Sequence, residues 1–473
     1  MKRLLCFFIF SSLLLLQNTA ATVDEMRNMN IPIVVINTIN KETPTCDYAH
    51  APEGQDGITS INHTKVSARM YIIQQNDTLY DSGEYVDGIS GLTIRIRGNT
   101  SAYGYPMKPY KLNLQKKADL LLRGDKKYND KDWLLLNDYK LNTIVGNKVS
   151  ELVGFLWHPK FEYVNFFLNN DYQGLYLLSE SIKRNPDCRI DVSKEEGYIF
   201  ENDAYWWNES VYADTHIINP RYNYTFKYPD SDKMTEEQVN YIMAVMDDVE
   251  TSILDGTYPD KIDVESFTKW LLVNNIIGSY DSGGSNMYLT KYDNTSKVSM
   301  SCPWDFSGMM MYGNYSRYNE MWASIQKDNI FYYPYLISSS NKTFHSVYVK
   351  LWDSIKDMVF VEIDNFLADL RNSPQAESLN ACRKSMTMKW YGKDSKEYKN
   401  SDIYTEIDGM REWFNGRKIW LDENTSQVFT SILNVKDEST KPNTIYDIQG
   451  KKVPTMSQNG LYILNKKKII HRK

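Results

Sequence analysis

Apolar and polar positions change their period about halfway along the chain. From Ile31 to about Tyr228 the apolar residues come in short runs that alternate with polar ones or break at Gly, Asn and Asp, as in Ile31 to Ile36, Val66 to Ile73 and Leu92 to Arg97. A period of two with turn residues between runs predicts strands. Leu92-Thr93-Ile94-Arg95-Ile96-Arg97 alternates strictly, breaks at Gly98-Asn99, and resumes after Pro106 as Lys108 to Leu114. Two neighbouring strands joined by a long loop would bring Arg95, Arg97 and Lys108 or Lys111 together. A second hairpin is expected from Phe161 to Leu168, turning at Asn169-Asn170-Asp171 and returning to Glu180. Between the hairpins, Ile144, Val149, Leu152 and Val153 recur at near-helical spacing and predict a helix crossing the sheet. Gly197 to Glu201 and Phe226 to Tyr228 read as further short strands.

From Thr235 the period becomes helical. Thr235 and Gln238 have the form of a capping box, and Val239, Ile242, Met246, Val249 and Ile253 follow at steps of three and four. Asp263 caps a second helix, Val264 to Ile277, which stops at Gly278. A hairpin is expected next, from Asn286 to Tyr292 and back from Lys297 to Cys302. Pairing Tyr292 with Lys297 places Asp281 opposite position 308 and Asp305 opposite position 284, so both carboxylates sit at the open end of one hairpin. Helices are expected again from His345 to Leu370 and from Ile407 to Asp422. The fold class is α+β, with a β-rich part over 31–230 and a mainly helical part over 231–433. The tail, 434–473, carries two short alternating runs, Ile445 to Val453 and Gly460 to Asn465, ahead of a basic end.

Composition narrows the field. The 473 residues hold 54 Lys+Arg against 60 Asp+Glu, a net charge of −6, with 42% hydrophobic and 24% charged positions. These values suit a globular chain and offer no basic footprint for nucleic acid. Lys2 and Arg3, the apolar run Leu4 to Leu16, and Thr19-Ala20-Ala21 have the form of a signal peptide over 1–21, so a secreted or cell-surface protein is expected. No later run is long enough for a membrane span, so an integral membrane protein is not expected. Cys46, Cys188, Cys302 and Cys382 remain after cleavage; they allow three disulfide connectivities, and no CxxC suggests zinc.

Two constellations carry candidate chemistry. Clustered cations on a sheet beside a Gly-containing loop suit polyphosphate. Asp281 and Asp305, with the amide of Asn286, suit a hard cation such as Mg²⁺, which takes one or two carboxylates and completes its shell with water and phosphate. The 35 tyrosines leave a different class open, a non-catalytic surface module binding glycan or protein through aromatic side chains. No GxSxG, HExxH or Walker-type GxxxxGK is present.

The ordered set Ile94-Arg95-Ile96-Arg97-Gly98-Asn99-Thr100-Ser101, Met107-Lys108-Pro109-Tyr110-Lys111-Leu112, Lys131-Asp132-Trp133-Leu134-Leu135-Leu136, Tyr172 to Glu180 and Pro303-Trp304-Asp305-Phe306 resembles the CotH family of secreted or spore-coat proteins. The resemblance implies an atypical protein-kinase-like fold and an ATP- and Mg²⁺-dependent kinase acting on Ser or Thr of exported proteins. It implies that Lys108, held by Glu180, faces the nucleotide phosphates, that Asp281 and Asp305 hold the metal and carry catalysis, and that Asn147 and Asn286 fall on family positions; Asn147 is expected at the nucleotide together with Arg97 and Lys111 of the cation cluster, and Asn286 at the metal. Two departures stand out: Ser307 replaces the second acid of W-D-F-D, and Val145-Gly146-Asn147 replaces L-R-N, removing an arginine. The tail resembles the small β-strand sorting tails of the type IX export route.

Overall fold

The computed structural model describes residues 21–319, 331–338 and 341–425, together with four short strands in the tail. The expected leader lies, apart from Ala21, outside the described residues. The architecture is α+β, β-rich first and helical afterwards.

Ten strands occupy the first part: β1 (Ile33–Thr38), β2 (Asp47–His50), β3 (Ile58–Ile61), β4 (Val66–Gln74), β5 (Asp77–Asp81), β6 (Leu92–Ile96), β7 (Tyr110–Ala118), β8 (Asp130–Leu136), β9 (Phe161–Leu168) and β10 (Asp171–Glu180). Their hydrogen-bonded order is β1-β9-β10-β8-β7-β6-β4-β5, and a further β1–β4 pairing closes seven of them into a barrel, leaving β5 on the edge. Alternation decides which face each residue takes. Ile94, Leu112, Trp133 and Glu180 are successive cross-strand partners on the buried face. Arg95 and Lys111 are partners on the other.

A second sheet, β11 (Tyr198–Asn202), β12 (Tyr212–Asp214), β13 (Asn223–Tyr228), β14 (Met287–Lys291) and β15 (Val298–Met300), runs in the order β12-β13-β11-β14-β15. The longer helices are α1 (Asn142–Val153), α2 (Glu236–Asp255), α3 (Val264–Ile277), α4 (Lys342–Asn372), α5 (Pro374–Tyr391) and α6 (Ile403–Asn424). The expected caps are present: Thr235 and Gln238 form the capping box of α2, and Gly278 ends α3 with a left-handed φ of 56°. Nearly every residue from Phe267 to Ile277 is buried, which marks α3 as the central helix.

The expectation for α1 needs correction. It packs on α3 and α4 instead of crossing the sheet. Its buried face combines Val145, Val149 and Val153 with the small residues Gly146 and Ser150, a surface that lets neighbouring helices approach closely. Helix α5 has no strong apolar period and was not expected; it lies against β10. One apolar cluster runs from Met26 to Leu421 across both parts. The four cysteines are free thiols, and among the described residues no helix is long and apolar enough to cross a membrane. In the tail, Ile445–Asp447, Lys452–Val453, Gly460–Leu464 and Lys467–His471 pair as a small antiparallel sheet.

A buried ion pair ties the helical part to the start of α1. The Arg383 guanidinium donates to Glu406 Oε2 (2.5 Å) and to the Tyr139 carbonyl (2.6 Å), while Glu406 Oε1 accepts from the Leu141 backbone N–H (2.9 Å). Removing one partner of such a pair strands a buried charge. Arg383→Met is therefore expected to lower stability by about 3–5 kcal/mol. Arg383→Met/Glu406→Leu should recover part of that loss, as read from denaturant midpoints; equal loss in both variants would mean that packing, not charge, is at stake.

Candidate functional site

The hairpin that carries the two aspartates has the expected register, with Leu289 opposite Met300 and Lys291 opposite Val298. The match continues beyond the strands: Ser301 N–H donates to the Tyr288 carbonyl (2.8 Å) and Tyr280 N–H to the Gly308 carbonyl (2.9 Å). Asp281 thus lies against position 308, where a Cβ would sit 2.7 Å from that of Asp281; only glycine fits. Asp305 adopts a left-handed φ of 61° and accepts from the Ser307 N–H through Oδ1 (3.0 Å). Both side chains are open to solvent, yet the surrounding walls desolvate Asp281. That burial, with the nearby Asp305 charge, raises the Asp281 pKa.

Helix α1 positions the segment around Asp305. Asn142 Nδ2 donates to the Phe306 carbonyl (3.1 Å), and the Phe306 ring lies directly on Gly146, where a Cβ would be 2.2 Å from it. The departure at Gly146 therefore has a packing role: any side chain there would displace Phe306. Asn147 is buried in α1 and donates from Nδ2 to the Thr143 carbonyl (2.8 Å), while its Oδ1 has no partner among the described residues.

Cations lead away from the aspartates across the barrel's outer face. Arg97 lies within electrostatic reach of Asp305, Glu201 and Tyr288, and its pKa is depressed by burial. Among the described residues its guanidinium has no hydrogen-bond or ion-pair partner. Arg95, depressed by burial and by Arg97, donates among the described residues only to the Ile96 carbonyl (3.2 Å). Its cross-strand partner Lys111 stands 3.5 Å from Asp132, which also binds Lys183 (2.5 Å). Partly desolvated cations without matching carboxylates are an incomplete arrangement that an anion would complete.

The expected Lys108–Glu180 ion pair is not formed. Lys108 Nζ donates to the Ala102 (2.6 Å) and Tyr105 (2.8 Å) carbonyls, and burial lowers its pKa. Glu180, fully buried, accepts from Arg123 Nη1 (2.8 Å) and the Lys160 N–H (3.1 Å). Register explains the separation. The Lys108 carbonyl is bonded by the Tyr176 hydroxyl (3.0 Å), four residues along β10 from Glu180. That is about 13 Å at strand rise.

Three features escaped the sequence reading. Glu201 on β11, cross-strand partner of Tyr288, binds Lys227 (2.9 Å) and accepts from the Asn286 backbone N–H (3.1 Å); burial raises its pKa. Asn286 is thus held by its main chain, at a φ of 60°, with no side-chain contact to either aspartate found among the described residues. The signal for this pair was a charge closing the apolar run Tyr198-Ile199-Phe200 and another inside Phe226-Lys227-Tyr228. Asp138, just before α1, feels both Glu406 and Asp305, and burial raises its pKa; it accepts from Thr143 Oγ1 (2.5 Å). Met310, Met311 and Tyr312 form a left-handed turn, a conformation costing roughly 1–2 kcal/mol per residue. Buried Met309, Met310 and Met311 anchor it, and Tyr312 packs edge-on to Tyr280 (5.6 Å) beside the two aspartates.

The family model described as CotH kinase protein matches residues 94–421, more than half of the chain and the whole of this site. The chain belongs to the CotH kinase protein family. Comparison with curated proteins finds no match. Within this CotH protein, Asp281 and Asp305 fit a divalent cation that keeps water and phosphate in its shell: the two charges repel until a cation is shared between them. Among the described residues no group of three or more His, Cys, Asp or Glu is placed to hold a metal on its own.

The raised Asp281 pKa means that the folded chain retains a proton that the unfolded chain has lost. Stability should fall as pH rises from the ordinary value of 3.8 through the raised one. Asp281→Asn is expected to be at least as stable as the parent at pH 7 without metal, the two converging below about pH 4. A variant less stable at pH 7 would show Asp281 to be a structural cap.

Proposed function

We propose that this CotH protein is a kinase that transfers the γ-phosphoryl group of ATP to Ser or Thr of exported proteins. The observation that carries the reading is Arg97, a desolvated guanidinium without a partner, standing between the Asp281/Asp305 pair and the cations Arg95 and Lys111. Phosphoryl transfer asks little covalent chemistry of a protein; it needs phosphates positioned and their charge offset. Arg97, Arg95 and Lys111 face the phosphates. Asp281 and Asp305 are the residues that would hold Mg²⁺, which supplies compensating charge to the transferring group. One of the two aspartates accepts the proton of the substrate hydroxyl. The kinase-like fold rests on family membership, and Lys227–Glu201 stiffens the wall behind Arg97 in place of the Lys108–Glu180 pair. Export by the N-terminal leader, and a sorting role for the tail sheet, complete the proposal and place the protein outside the cytoplasm or on the cell surface.

Labelled ATP, Mg²⁺ and a Ser-rich acceptor should give transfer that Asp305→Ala abolishes. Arg97→Met should raise KM for ATP about ten- to a hundredfold, because hydrogen bonds to charged groups contribute about 1.5–3 kcal/mol and each 1.4 kcal/mol is tenfold. Equal transfer by Asp305→Ala would remove that residue from the mechanism.

A second reading has its own observation. Tyr205 packs with Trp207 (6.4 Å) and Trp206 with Tyr212 (4.8 Å), and the buried Trp207 Nε1 has no partner among the described residues. Such a group suits a glycan or protein surface. Calorimetric heat with an oligosaccharide and none with Mg·ATP would favour that reading over the kinase.

A further inference from the structure

A groove of about 720 Å³ lies at the far end of the barrel, between the edge strand β5 and the C-terminal half of β7. It shares Lys117 with a second hollow of about 260 Å³ lined by Asp132 and Lys183, the same groups that neighbour Lys111 at the end of the cation row. Shared groups therefore link this groove, by way of the second hollow, to the cation row of the candidate site.

The charges of the combined lining are unevenly matched. Its carboxylates are mostly taken: Asp81 by Arg69 (2.6 Å), Asp119 by Arg123 (2.9 Å), Asp125 by Lys127 (3.5 Å), and Asp130 and Asp132 by Lys183 (3.2 and 2.5 Å). Lys116, Lys117, Lys126 and Lys131 have no ion-pair partner among the described residues, against the single unpaired carboxylate of Asp187. The lining holds six cations and six carboxylates, but because five of the carboxylates are engaged by cations, four lysines are left to face the groove in a chain that is acidic overall.

The walls also offer main chain. β5 pairs only with β4, and the β7–β8 register breaks between Asn113 and Ala118, beside Lys116 and Lys117. Unpaired strand edges take extended peptides by adding main-chain hydrogen bonds. The protein's own tail is an unsuitable occupant, since it ends in Lys466, Lys467, Lys468, Arg472 and Lys473.

We infer that this groove docks an extended acidic segment of a partner protein, feeding it toward the candidate site. The inference deepens the kinase reading by giving its substrate a chemical character, and it rests on that reading only for its purpose, not for the binding itself. The test is fluorescence anisotropy on the full chain at low salt, with a labelled Asp-Ser repeat peptide and an Asn-Ser repeat of equal length. The acidic peptide should bind at least tenfold tighter than the neutral one and weaken steeply with salt. Lys116→Ala/Lys117→Ala/Lys126→Ala/Lys131→Ala should lose at least tenfold in affinity with an unchanged circular dichroism spectrum. Asp305→Asn should bind the acidic peptide like the parent while losing transfer; peptide binding by a parent chain that gives no transfer with Mg·ATP would count against the kinase reading alone. Equal binding of both peptides, or no loss in the quadruple variant, would overturn the inference. So would heparin or a DNA oligonucleotide binding at least as tightly as the acidic peptide through the same lysines.

Discussion

The structure depends on the buried contact between Arg383 and Glu406. Glu406 receives the N–H that opens α1, and Arg383 grips the carbonyl two residues earlier, so helices from the end of the chain set where α1 begins. From there the constraint travels by contact. α1 holds the Phe306 carbonyl through Asn142 and the Phe306 ring through Gly146, and Phe306 adjoins Asp305. An ion pair of this kind contributes modest net stability, since desolvation offsets most of the attraction, but it penalises any arrangement that separates the partners. Its consequence here is positional.

The site combines two surfaces with opposite electrostatic needs. On the barrel, burial depresses Arg97 and Arg95 because their charges have lost water without gaining carboxylates. On the facing surface, burial raises Asp281, Glu201 and Asp138 because their carboxylates have lost water, and neighbouring acids add to the rise: Asp305 beside Asp281, Asp203 beside Glu201, and Glu406 and Asp305 beside Asp138. The fold keeps the two sets close without pairing Arg97 to Asp305. An anion with a bound cation satisfies both at once, which is why the arrangement suits a metal–polyphosphate. The left-handed turn at Met310 to Tyr312 and the left-handed Asp305 show that the backbone here is held by its surroundings against its own preference.

Much of this was legible in the chain. Strand alternation placed Arg95 beside Lys111, helix caps located α2 and α3, and the loop between Tyr292 and Lys297 set the register that brings Asp281 to Gly308. These are local consequences of period, cap and turn chemistry, which act over a few residues and need no knowledge of the rest of the fold.

Other features arise only in three dimensions. The closing of the barrel through β1 and β4, the packing of α1 on helices, and the exchange of partners that gives Glu180 to Arg123 and leaves Lys108 on backbone carbonyls all depend on segments far apart in sequence. A motif states which charged residues are present but not which of several opposite charges each will meet. That choice is made by strand register and burial, because desolvation penalises an unpaired charge and so favours whichever opposite charge the register brings within reach. The sequence by itself thus determined the strongly periodic elements, the local hairpin register and the family; the tertiary structure alone decided the partners, leaving Arg97 unpaired among the described residues where two carboxylates converge.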